Sequence, residues 1–179
     1  FEEIFNCLGE NAIIAEDLGE AEQEAAELKN KYGIPGMKIL QFAFGNGHKS
    51  YPHNYPENCV VYTGTHDNDT TVGWFHSRPG EGNTQTKNAI KTERKKVLKY
   101  LKTDGKEIHW DMIKTALSSK ANTVIIPLQD ILGLDSSARM NVPGTVSGNW
   151  RWRFDWTMLT EEKMHQMKNL TAKFNRNYI

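Results

Sequence analysis

Three groups of acidic residues follow short apolar runs in this chain: Glu16 and Asp17, then Asp67 and Asp69 with His66 beside them, then Asp130. A carboxylate at the end of a buried run is costly unless it is hydrogen-bonded or put to use. Each group alone has a structural reading. Asp17 suits the N-cap of the helix after the first run, and Asp69 with Thr70 and Thr71 suits the cap of a later one. Two groups converging on one end of a sheet would instead supply the carboxyl pair of glycosidic chemistry. One protonates the leaving oxygen and the other stabilises an oxocarbenium-like centre. Tyr51, His53, Asn54 and Tyr55, with Trp74 and Phe75, add aromatic faces that suit pyranose rings and polar groups that suit hydroxyls. Ordinary packing accounts for each of these singly. A metal site on His66, Asp67 and Asp69 lacks a second His pair at ligand spacing, and no Gly-rich phosphate loop is present.

The elements that must position these residues are short. Apolar, partly β-branched runs at 12–15, 37–44, 59–63 and 123–127 read as buried strands, each ending in polar residues. Between and around them, 1–8, 21–32, 86–102, 108–119 and 160–175 read as helices, the last with Thr160 as N-cap and Glu161 and Glu162 in its first turn. Residues 45–58 have no period and form a long loop of the kind that binds ligands. The alternating run from Asn149 to Phe154 reads as an extended segment anchoring the C-terminus, in preference to a ligand contact. Strands separated mostly by helices predict an α/β fold with a parallel sheet covered on both faces, its active site at the C-terminal strand edge. Four strand units are half of what a closed barrel needs, and half a barrel leaves two raw edges. The chain also opens on Phe1 without an initiator Met. It is therefore expected to be part of something longer.

Bulk properties narrow the partners. The 179 residues carry 22 basic and 22 acidic side chains, so no net field favours nucleic acid or anionic lipid. Mean hydropathy is −0.64, and the apolar run from Val124 to Leu128 is far short of the roughly 20 residues that span a bilayer. Cys7 and Cys59 lie in no ligand or redox pattern and read as reduced thiols.

A series of motifs then appears in order: Ile14-Ala15-Glu16-Asp17-Leu18-Gly19, Pro35-Gly36-Met37 through Gln41-Phe42-Ala43-Phe44, Pro52-His53-Asn54, and Tyr62-Thr63-Gly64-Thr65-His66-Asp67-Asn68-Asp69-Thr70. Pro127 to Gly133, Ala138 to Asn141, Pro143-Gly144-Thr145 and Asn149 to Arg153 continue it. The series resembles the 4-α-glucanotransferase (amylomaltase) family over essentially the whole chain. The resemblance implies the C-terminal half of a (β/α)8 TIM barrel, strands about five to eight, over residues 1–179 as one unit. It implies a retaining transfer of α-1,4-glucan segments. Glu16 matches the general acid/base, Asp67 the carboxylate that stabilises the transition state, and His66 a histidine bonding hydroxyls of the same sugar. His53 and Asn54 lie where the family has a loop near the site's mouth, and are expected to bind substrate.

No cofactor and no metal are implied. The expected partners are maltooligosaccharides, α-1,4-glucans and the enzyme's own N-terminal half, in the cytoplasm or alternatively the plastid stroma. The family's nucleophile, an aspartate in an Arg-x-Asp-His segment, has no match here. That segment is expected before Phe1, so the chain alone is expected to be inactive. An α-glucan hydrolase and a non-catalytic carbohydrate-binding fragment are the competing readings.

Overall fold

The computed structural model describes residues 1–9, 13–18, 22–45, 51–80 and 83–176. Helix α1 (Glu2–Leu8) leads, with the rings of Phe1 and Phe5 against Tyr32. Helix α2 (Glu22–Lys31) precedes strand β1 (Gly36–Ile39). The expected strand 37–44 stops halfway, and Leu40–Phe44 is a 3-10 turn. The reason is the burial period. Leu40, Ala43 and Phe44 point inward while Phe42 is 54% exposed, which a strand's alternation cannot provide. Within the expected loop, Pro52–Asn54 forms a 3-10 turn; residues 46–50 lie outside the described ones.

Strand β2 (Cys59–Tyr62) leads through a turn to helix α3 (Thr71–His76). Helix α4 (Lys87–Leu101) starts at a Thr86 hydroxyl that accepts from Ala89 N and ends at Lys102 in the left-handed region. Helix α5 (Ile108–Ser118), strand β3 (Thr123–Ile125) and helix α6 (Leu128–Leu132) follow. The chain closes on helix α7 (Glu161–Lys173), whose Thr160 cap accepts from Lys163 N as the sequence predicts.

The sheet is parallel in the order β1-β2-β3, with Met37 opposite Val60 and Val60 opposite Thr123. The first expected strand, 12–15, is reduced to a parallel bridge between Ala15 and Gly36, and Ala12 lies outside the described residues. Covering is also less complete than expected. Thr123 is exposed and Ile125 is 40% exposed, so one face of β3 is open. Helix α5 is the centre of the packing. Its Ile108, Met112 and Ala116 join Phe44, Val61 and Val97 in one apolar cluster, while Trp110, Ile113 and Leu117 join Leu170 of α7 in another. A helix apolar on both sides must be buried on both sides, and this one carries β3 and α7 with it.

Arg176 finishes the C-terminus of α5. Its guanidinium donates to the carbonyl oxygens of Leu117 (3.1 Å), Ser119 (2.7 Å) and Ala121 (2.6 Å). These are carbonyls a helix end and its following loop leave unpaired, facing the negative end of the dipole. Arg176→Ala is expected to lower unfolding free energy by about 2 kcal/mol in urea titration. Arg176→Lys, a point donor without the planar fork, should recover less than half of the loss.

Candidate active site

The site grows from the end of β2. Thr63 is fully buried, and the chain then turns through Gly64 to Thr70 before α3 begins. A Cβ on Gly64 would lie 2.7 Å from Gln41 Nε2. That amide donates to Asp69 O at 2.9 Å and ties the turn to the end of β1. Inside the turn Asn68 Oδ1 accepts from Thr65 N (2.9 Å) and Thr65 Oγ1 (2.8 Å). Thr70 caps α3, its hydroxyl accepting from Gly73 N. The Asp69 carboxylate accepts from Thr70 N (2.8 Å) and the Ser136 hydroxyl (2.6 Å). Of the three residues expected to supply the cap, Asp69, Thr70 and Thr71, Thr70 makes it and Asp69 braces it.

Asp130, on α6, lies under the turn. Its carboxylate accepts from Thr63 Oγ1 (2.5 Å), Thr71 N (2.7 Å) and Thr71 Oγ1 (2.9 Å). Burial pushes this carboxyl up from its ordinary range, against the opposing pull of those three donors.

Above the turn the segment after α6 comes back over His66 and Asp67. Arg139 Nη2 donates to Asp67 O (2.9 Å) and Arg139 Nε to Asn141 O (2.8 Å). Asn141 N donates to His66 O (3.1 Å), and Asn141 Nδ2 donates to Asp67 Oδ1 (2.6 Å). His66 Nε2 lies 3.4 Å from the same oxygen. The Trp150 ring tilts over His66 at 5.1 Å between centroids, from a backbone at φ 61°. A left-handed tryptophan is uncommon and costs about 1–2 kcal/mol. Here the Trp150 N–H donates to Met140 O at 2.6 Å. A cleft of about 150 Å³ opens at this edge of the sheet, lined among others by Thr65, His66, Asn68, Gln129 and Arg139.

The remaining predicted residues sit apart. Glu16 is exposed, one residue past the Ala15 bridge, and its side chain has no hydrogen bond or ion pair among the described residues. Its neighbour Asp17 faces the other way. It accepts from Lys29 Nζ (2.5 Å) and from Met37 N (2.8 Å), joining α2 to β1. The N-cap role expected for Asp17 is replaced by this cross-link, and a Cβ on Gly36 would collide with it. Burial pushes the Asp17 carboxyl up, but the Lys29 and Met37 bonds with the charges of Lys29 and Lys38 outweigh it and hold it below the usual range. His53 stacks on Tyr51 and Tyr100, its Nδ1 2.9 Å from the Tyr100 hydroxyl. Neither it nor Asn54 lines the cleft.

The sequence profile of the 4-alpha-glucanotransferase family matches residues 1–160. The chain belongs to that family. It is 43% identical to the chloroplastic/amyloplastic 4-alpha-glucanotransferase of Oryza sativa, over 98% of this chain and 29% of that one. It is 44% identical to the 4-alpha-glucanotransferase of Synechocystis, over 98% and 34% respectively. Among solved structures, an amylomaltase from Streptococcus agalactiae in complex with acarbose superimposes with a TM-score of 0.82 at 34% identity, over 97% of this chain and 34% of that one. The chain thus spans about a third of the length of the relatives it matches. Its mixed helix and sheet fold is that of this part of an amylomaltase.

The contacts of three residues with the His66–Asp67 pair emerge only in three dimensions. Asn141 and Arg139 reach the His66–Asp67 pair from more than 70 residues away. Trp150, in the run read as an anchoring segment, covers His66. Their signal in the sequence was membership of the Ala138–Asn141 and Asn149–Arg153 motifs, which cannot say where those segments land.

The Asp17 pair gives a pH prediction. A depressed native value means its stabilisation is complete above the unfolded value and lost as pH falls through the native one. Asp17→Asn should cost about 2 kcal/mol at neutral pH. The gap from the parent should close in acid, as read by urea unfolding at several pH values.

Proposed function

We propose that this chain is the C-terminal half of the catalytic (β/α)8 barrel of a 4-α-glucanotransferase, one unit over residues 1–179 carrying strands about five to eight. Its parallel sheet and the exposed apolar residues Ile14, Leu18 and Ile125 support that reading. Apolar sheet borders call for cover, which the remaining strands and helices of a closed barrel would supply. The complete enzyme moves a segment of an α-1,4-glucan or maltooligosaccharide to the 4-hydroxyl of glucose or another glucan, in the cytoplasm or a plastid stroma.

One observation carries the reading: His66 and Asp67, half exposed, held from behind and above at the C-terminal edge of a parallel sheet. Asp67 Oδ1 is engaged by Asn141, while Oδ2 has no hydrogen-bond partner among the described residues and is open to a ligand. In this role Asp67 holds the sugar at the cleavage point and stabilises positive charge developing at its anomeric carbon. His66, its ring fixed by Trp150, pairs with hydroxyls of that sugar. Glu16, exposed and unencumbered, protonates the leaving glucan oxygen and then takes the proton from the incoming 4-hydroxyl. Its freedom and the engagement of Asp17 support choosing Glu16 of the two. The nucleophilic aspartate comes from residues outside these 179, so the chain alone carries no transfer. His53 and Asn54 are assigned to the glucan's path outside the cleft, on the resemblance of their loop. The Streptococcus agalactiae amylomaltase, solved in complex with acarbose, supports an oligosaccharide ligand for the complete enzyme.

The test is maltotriose incubated with the complete enzyme and its products separated by length. Glucose with maltopentaose and longer chains is the expected result. Glucose and maltose alone would mean a hydrolase, and unchanged maltotriose a binding protein. Glu16→Gln and Asp67→Asn should each lower transfer by at least about 100-fold. Full activity in either variant overturns that residue's role.

A further inference from the structure

Asp67 is exposed, and an exposed carboxylate on a turn has rotamer freedom unless something holds it. The structure provides a holder on a different segment. Asn141 donates from its side chain to Asp67 Oδ1 at 2.6 Å and from its backbone to His66 O at 3.1 Å. Arg139 completes the link by bonding the carbonyl oxygens of both Asp67 and Asn141, at 2.9 Å and 2.8 Å. The Arg139 guanidinium thus joins backbone to backbone, while the closest donor to the Asp67 carboxylate is the neutral amide of Asn141, with His66 Nε2 farther off at 3.4 Å from the same oxygen. We infer that Asn141 is the positioning residue of Asp67, occupying one carboxylate oxygen so that the other is presented to the sugar.

The chemistry favours an amide at this place. A lysine or arginine at the same distance would orient the carboxylate equally well. It would also add, directly on the carboxylate, a second full positive charge to that of Arg139 on the backbone, against the one that Asp67 must stabilise. An aspartate would repel Asp67, and an apolar side chain would leave it free to rotate. An amide donates a hydrogen bond to a charged acceptor, the stronger kind, and adds no net charge. The inference rests on Asp67 having the role proposed above.

The experiment uses the complete enzyme with four variants: Asn141→Ala, Asn141→Asp, Asp67→Asn, and Asn141→Ala combined with Asp67→Asn. Maltotriose disproportionation is resolved into kcat and KM, and thermal unfolding is followed in parallel. Asn141→Ala is expected to lower kcat by about 10- to 100-fold with KM changed less than about threefold, since the ordering matters most where charge develops. Asn141→Asp, equal in shape but without the donor, should be at least as impaired. In the Asp67→Asn background, Asn141→Ala should have little further effect, because a positioning residue has nothing left to position. Wild-type kcat in Asn141→Ala or Asn141→Asp overturns the inference while Asp67→Asn remains inactive. So does a loss that tracks a fall in unfolding temperature, or one fully additive with Asp67→Asn. An active Asp67→Asn instead overturns the underlying role of Asp67.

Discussion

The carboxylate of Asp130 is the tie on which the geometry of the site depends. Thr63 and Thr71 are the two ends of the turn that carries His66 and Asp67, and both donate to this one buried group. The turn is thereby closed at its base, and the end of β2, the start of α3 and the segment after β3 meet at a single point. A charge so deeply buried is tolerated only when its oxygens are satisfied. That requirement makes the arrangement specific, because displacing either threonine would leave a polar atom unpaired in an apolar setting. The two halves of the site's frame are therefore coupled. α6 cannot shift without moving the turn above it.

The acids of this chain divide by what surrounds them. Asp17 and Glu16 are neighbours on an extended backbone, so they face opposite sides. Asp17 meets an ammonium group and a backbone amide and becomes a cross-link between α2 and β1; Glu16 meets neither among the described residues. Asp69 is taken up by a cap and a serine hydroxyl. Asp67, half exposed beside the cleft, keeps Oδ2 without a hydrogen-bond partner among the described residues. Carboxylates within a few residues of each other thus have different tasks, decided by local donors rather than by type.

Above the turn, the return of residues 139–150 does two things at once. Arg139 and Asn141 fix the His66–Asp67 backbone, while Asn149 accepts from Val142 N and donates to Thr145 O, folding the intervening loop on itself. The left-handed Trp150 follows directly and lays its ring on His66. The strain of that residue is offset by its bond to Met140 and by the stacking, both of which exist only when the loop is seated.

Much of this was legible in the sequence. Helices α4, α5 and α7 appeared within a residue or two of their observed ends, because caps and 3.6-residue periods are local signals. Strand β2 appeared because a short β-branched run is unambiguous when turn residues flank it, and the order of motifs pointed to the family. Sequence alone erred where burial depended on neighbours: the strand that becomes a 3-10 turn after Ile39, the run at 12–15 that keeps a single bridge, and β3 with one face open. It offered Asp17 as a possible cap, since it could not see Lys29 or Met37, and offered Asp69, Thr70 and Thr71 together for the cap that Thr70 makes. What the sequence determined by itself were the elements and the candidate chemistry, both encoded over a few residues. Only the tertiary structure decided which carboxylate is engaged and which is free, because those partners lie 12 to 74 positions away and meet only when the chain has packed.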